Sequence, residues 1–189
     1  SAIAGDYVAT LLRDRCRVPI FVWRDYGLPA FVGPETLVVA SSYSGNTEET
    51  LSAFDRARRA GARVVALTGG GELAGQAEAT GYPVFKITYQ APPRAALAYS
   101  LFPLLGILTA LEIGPDLRAE VAEAGAVAAA LLGSVRPETP EGANPAKALA
   151  RAARGRVVVV YGGGSLEPVA RRWKTQVNEN SRAWAFFEV

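Results

Sequence analysis

Leu37-Val38-Val39-Ala40-Ser41-Ser42-Tyr43-Ser44-Gly45-Asn46-Thr47-Glu48-Glu49 is the stretch whose reading decides the fold. It opens with four apolar residues in a row. A continuous apolar run of this length marks a strand covered on both faces, as in a parallel sheet with helices on either side. It passes through hydroxyl residues and Gly45 into Thr47–Ala60, where Leu51, Phe54 and Ala57 form an apolar helical stripe. Gly61 stands where a helix-terminating glycine is expected.

A strand that runs straight into a helix is an anion-binding arrangement. Ligands of open α/β sheets bind beyond the carboxyl ends of strands, where a helix N-terminus offers unpaired N–H groups. Ser42, Ser44 and Thr47 add hydroxyl donors, and Gly45 permits close approach or positive φ. The loop holds no Lys or Arg, so an anion here would be held by dipoles and hydrogen bonds. A second reading stays open: Asn46 caps the helix, with Glu49 completing a capping-box-like pair. Glu48 and Glu49 suit the helix dipole, but their side chains must turn away from a bound phosphate.

Outward from this stretch, strands and helices alternate. Strands are expected at Val18–Trp23, Leu37–Ala40, Arg63–Thr68, Val84–Ile87, Arg156–Tyr161 and Ala183–Phe187. Helices are expected at Glu72–Ala79, Arg94–Leu111, Pro115–Leu132, Pro145–Arg154 and Ser165–Gln176. Alternation of this kind predicts an α/β fold, a parallel sheet flanked by helices. Arg136–Asn144, rich in Pro, Gly and acidic residues, reads as a linker. The division is then a first domain at 1–135, a linker at 136–145 and the opening of a second domain at 146–189. The second opens with a strand and Gly162-Gly163-Gly164-Ser165; the first begins at Ser1-Ala2-Ile3-Ala4-Gly5-Asp6, as if at the Ser of such a loop. This suggests two copies of one fold, with the first strand of the first copy missing and the second copy incomplete in this chain.

Composition narrows the chemistry. The 189 residues are 50% apolar and carry a net charge of +2, which gives no broad footprint for nucleic acid. There is no His and one cysteine, Cys16, so these residues supply no His base, thiolate zinc site or intrachain disulfide. Leu97–Leu111 is too short to span a bilayer, contains Pro103 and reads as a buried helix. No signal peptide is visible, and cysteine usage fits a reducing, cytoplasmic setting. With no Met even at its start, the sequence reads as an excised piece of a longer protein. Gly69-Gly70-Gly71 and Gly162-Gly163-Gly164 lack the dinucleotide-binding spacing and read as tight turns.

Ser42-x-Ser44-Gly45-x-Thr47-x-Glu49 at a strand–helix junction resembles the signature of sugar isomerase (SIS) domains. Pro93-Arg94-Ala95-Ala96-Leu97, Arg172-Trp173-Lys174, Asn178-Glu179-Asn180 and the Ser1–Asp6 opening resemble, in order, segments of the bifunctional phosphoglucose/phosphomannose isomerase family. The resemblance implies tandem SIS domains, a homodimer, and interconversion of glucose 6-phosphate, and mannose 6-phosphate, with fructose 6-phosphate in carbohydrate metabolism. It implies no cofactor and no metal. By resemblance, Ser42, Ser44 and Thr47 hold the phosphate, with Ser1, Gly45 and Asn46 beside them. Arg94 lies at the reacting carbons and Glu179 is the base. These assignments suit a cis-enediolate: a carboxylate shuttles the proton between C2 and C1, and a guanidinium stabilises the developing oxyanion. Without the resemblance, Glu179 reads as a surface carboxylate and Arg94 as a helix N-terminal residue. The family also uses a ring-opening His and a Lys near its C-terminus, which this sequence does not reach. Arg182 stands where the family often has Lys. The piece alone is therefore expected to bind sugar phosphate with poor or absent turnover. Two alternatives are a non-catalytic sugar-phosphate-binding SIS module and an amino-sugar-phosphate isomerase.

Overall fold

The computed structural model describes residues 2–189. They form two compact units, the first ending at Gly114 and the second running Pro115–Val189.

The first unit opens with α1 (Ala2–Leu11), which buries Ala4 and Val8. Its sheet consists of β1 (Leu37–Ser42), β2 (Arg63–Thr68) and β3 (Val84–Lys86), in that order and all parallel. Register pairs Ser42 with Thr68, so the carboxyl ends of β1 and β2 lie side by side. Between the strands run α2 (Glu48–Arg59) and α3 (Gly71–Ala79), which pack on the sheet and on each other. The core between them is Ala40, Phe54, Ala57, Ala62, Val64, Ala66, Leu73 and Ala77. Alanines at the strand face let helix and sheet approach closely, and fully buried Phe54 fills the remaining space, edge-on to Tyr82 at 5.9 Å. α2 ends as its glycine predicts: Gly61 has φ 72°, its N–H reaches the Arg58 carbonyl, and the Ala62 N–H reaches that of Ala57. That is the Schellman pattern.

After β3 the chain makes a 3₁₀ turn at Pro93–Ala95 and enters α4 (Leu97–Ala110). Pro103 is accommodated within α4, which packs against α1 and buries Leu104, Leu105 and Leu108. Val18–Trp23 is not the strand its apolar run suggests. It has no ladder partner among the described residues, and Val18, Phe21 and Trp23 point to solvent, Phe21 70% exposed. An apolar run becomes a strand only when a neighbour takes up its backbone N–H and C=O groups.

In the second unit, α5 (Arg118–Ser134) starts where Asp116 accepts both the backbone N–H and the guanidinium of Arg118. This pairing holds the Asp116 carboxyl down at about 2. Residues 136–144 wrap the start of α6 (Pro145–Ala153). Buried Asn144 caps it through Lys147 N–H and donates to the Arg136 carbonyl. β4 (Val158–Tyr161), α7 (Glu167–Ser181) and β5 (Ala185–Glu188) make one parallel strand–helix–strand unit, with α7 packed on both strands. Gly162 is needed at the β4–α7 turn, where a Cβ would lie 2.7 Å from the Leu166 carbonyl oxygen. α7 runs to Ser181, beyond the expected Gln176, and stops at Arg182 in the left-handed region with φ 51°. The expected α/β class, helices flanking a small parallel sheet, is the observed one.

Candidate functional site

Ser42 closes β1 and is almost fully buried, which keeps its hydroxyl from bulk water. Its Oγ lies 2.8 Å from the Thr47 Oγ1 and accepts the Gly45 N–H at 3.1 Å. The turn between is closed by the Gly45 N–H bond to the Ser42 carbonyl at 3.2 Å. Ser44 is exposed, and its Oγ accepts the Asn46 N–H at 3.2 Å. Thr47 is the N-cap of α2, and its side chain makes no bond to the helix it precedes. Three hydroxyls thus surround the first turn of α2, whose leading amides have no intrahelical acceptor. The alternative reading of this motif as an Asn46 cap on α2 does not hold: the cap position is Thr47, and the Asn46 side chain is engaged elsewhere.

Asn46 reaches across to α3, where its Oδ1 accepts the Glu72 N–H at 2.9 Å. The Gly69-Gly70-Gly71 turn is the other wall of the cradle. The Gly69 N–H bonds the Tyr43 carbonyl at 3.0 Å, and the Leu73 N–H bonds that of Gly45 at 2.9 Å. Gly45 has φ 73°, and a Cβ there would lie 1.8 Å from the Gly70 carbonyl oxygen. Fully buried Thr68 braces the turn: its hydroxyl donates to the Gly70 carbonyl at 2.9 Å and accepts the Gly70 N–H at 3.2 Å. The glycine triplet was legible as a turn, but its docking against the cradle was not.

Glu48 is drawn to one side. Its Oε2 accepts the Tyr26 hydroxyl at 2.8 Å, and this bond, with the carboxylate's charge, pushes the tyrosine pKa up. Arg94 is exposed, in the 3₁₀ turn of the first unit. Glu179 is exposed in the last turn of α7 in the second unit, within the helix and not after it as expected. Its neighbours do not hold it. Asn178 donates to the Ala183 carbonyl at 2.8 Å, and Asn180 to Gln176. Ser1 lies outside the described residues.

A concavity of about 880 Å³ lies elsewhere in the first unit, between β3 and α4. Its lining is mostly apolar, with Phe85, Ile87, Phe102 and Ile107, so it is a poorer place for an anion than the cradle. Among the described residues no three His, Cys, Asp or Glu side chains gather as a metal site requires. No helix of those residues is long and apolar enough to cross a membrane.

Residues 142–189 match the family described as bacterial phospho-glucose isomerase C-terminal SIS domain. A bifunctional phosphoglucose/phosphomannose isomerase of Caldicellulosiruptor bescii is 43% identical over 100% of this chain and 56% of its own length. The enzyme of the same name from Aquifex aeolicus is 34% identical over 100% of the chain and 55% of its own. The chain therefore spans about half the length of these curated relatives. The C-terminal domain of glucosamine-fructose-6-phosphate aminotransferase from Francisella tularensis superposes with a TM-score of 0.71, at 15% identity, over 99% of this chain and 55% of that one. Over its whole length the chain is homologous to the bifunctional phosphoglucose/phosphomannose isomerases, and its fold is that of the SIS-domain phosphosugar isomerases.

Proposed function

We propose that this chain forms part of an aldose–ketose isomerase acting on glucose 6-phosphate, and on mannose 6-phosphate, to give fructose 6-phosphate. The observation that carries the reading is the cradle: Ser42 and Thr47 hydroxyls 2.8 Å apart at a helix N-terminus, in a chain 43% identical to such an isomerase over its length. Ser42, Ser44 and Thr47 hold the phosphate, and Gly45 lets the loop that carries them close against Gly70. Asn46 contributes by fixing the loop to α3.

Phosphate binding supplies a handle remote from the reacting carbons, and its energy orients them. Glu179 takes the proton from C2 and returns it to C1. Arg94 stabilises the enediolate oxygen through its fixed donor fork. Residues 1–135 and 146–189 belong to two SIS domains in tandem, joined at 136–145. The protein works as a cytoplasmic homodimer without metal or cofactor. The chain spans about half the length of the relatives it matches, so turnover is proposed for the native-length protein.

The test is steady-state kinetics of Glu179→Gln in the native-length protein with glucose, mannose and glucosamine 6-phosphates as substrates or competitors. The expected result is a kcat loss of about 100-fold or more, with KM little changed. Near wild-type turnover would remove Glu179 as the base. Preferential binding of glucosamine 6-phosphate favours an amino-sugar isomerase, and binding of all three without turnover in the unsubstituted protein favours a non-catalytic module.

A further inference from the structure

We propose that Tyr43 is a positioning residue that ties the phosphate cradle to the turn carrying Arg94. The proposal rests on the isomerase reading above and adds to it a role for the residue between Ser42 and Ser44. The Tyr43 carbonyl is anchored within the cradle by the Gly69 N–H. Its hydroxyl reaches across to a segment 46 to 48 residues further along the chain. There it donates to the Tyr89 carbonyl at 2.6 Å and accepts the Ala91 N–H at 2.8 Å. A phenol has a single proton to donate, so this pair of bonds fixes both its rotor and the two backbone groups it joins.

From Ala91 the chain has little freedom before Arg94. Pro92 and Pro93 follow, each with φ set by its ring; Pro92 stands at φ −55° and ψ 141°. The 3₁₀ turn is closed by Ala95 N–H to the Pro92 carbonyl at 2.8 Å and Ala96 N–H to the Pro93 carbonyl at 3.1 Å. On its other side the segment is held by α4, where the Tyr89 and Tyr99 rings stack with centroids 4.1 Å apart and planes within 4°. Two direct ties thus link the cradle to the chain leading to Arg94: the Ile87 N–H bond to the Thr68 carbonyl at 2.8 Å at the end of β3, and, nearer to Arg94, the Tyr43 hydroxyl. A guanidinium on a long stem stabilises a transition state only if its origin is correctly placed, since displacement by about 1 Å can cost 100-fold in rate.

The experiment is a double-mutant cycle of Tyr43→Phe and Arg94→Lys, by steady-state kinetics in the native-length protein. Tyr43→Phe is expected to lower kcat about tenfold with KM within about twofold. In the Arg94→Lys background it is expected to change kcat by less than about twofold, because the group it positions is already lost. Equal tenfold losses in both backgrounds overturn the proposal, as does a raised KM with unchanged kcat, which would put Tyr43 in phosphate binding alone. Wild-type turnover by Arg94→Lys instead overturns the assignment of Arg94 and, with it, any catalytic purpose for the tie. A check independent of substitution is amide exchange in the unsubstituted protein. Ala91 is expected to exchange at least about tenfold more slowly than Gln90, and equal rates mean that the tie is absent.

Discussion

The side-chain oxygen of Asn46 accepts the backbone N–H of Glu72 at 2.9 Å, so a residue at the head of α2 caps α3. Glycine at position 70, where α3 would draw its own cap, makes no side-chain bond. Loss of a cap costs about 1 kcal/mol. Asn46→Ala is therefore expected to lower unfolding free energy by about that amount in denaturant titration, while Asn46→Asp, which keeps the acceptor, stays within about 0.5 kcal/mol of wild type. Equal losses in the two variants would remove the cap.

Gly45 and Gly75 predict opposite outcomes for the same substitution. A Cβ on Gly45 meets the Gly70 carbonyl oxygen at 1.8 Å, on a residue already at φ 73°. Gly45→Ala should separate the two walls of the cradle and destabilise by more than about 2 kcal/mol. A Cβ on Gly75, inside α3, meets nothing within 4 Å. Gly75→Ala should stabilise by about 0.5 to 1 kcal/mol. Thermal melts of both variants check the pair.

The exposed hydroxyls of the cradle should carry anion affinity without carrying the fold. Ser44→Ala and Thr47→Ala together are expected to cost about 1.5 to 3 kcal/mol of sugar-phosphate binding per hydrogen bond lost, read by calorimetry. Thr47 makes no side-chain cap bond to α2, so helix content should be unchanged by circular dichroism. Unchanged affinity would reduce the loop to a structural turn.

Tyr26 titrates above the ordinary tyrosine range, first because it donates to Glu48 and second because that carboxylate is charged. The neutral phenol is the bonded form. Its folded pKa exceeds its unfolded one, so the contribution is present at neutral pH and is lost as pH rises through the folded pKa. Glu48→Gln should move the absorbance titration of Tyr26 back toward 10.0. A titration that does not move would mean that the bond is not formed in solution.

Much of this architecture was legible. β2 lies at Arg63–Thr68, where its apolar run placed it, and α2 ends at the glycine that predicts its end. Both follow from local rules: period, propensity and the need for positive φ. Val18–Trp23 had the same local character and is not a strand, because pairing depends on a neighbour that no local pattern reveals. α7 ran past its expected end through Asn178, Glu179 and Asn180. Those residues carry no Gly or Pro to end a helix, and α7 stops only at Arg182 in the left-handed region.

The cradle divides in the same way. The sequence by itself determined the order of hydroxyls, glycine and helix start, a one-dimensional pattern of the kind that an anion site requires. Only the tertiary structure decided what holds that loop in shape: Asn46 on Glu72, Gly45 against Gly70, and Tyr43 on Tyr89 and Ala91. The physical reason is that a hydrogen bond is decided within a few tenths of an ångström, between groups that parallel strand connections bring together from distant parts of the chain.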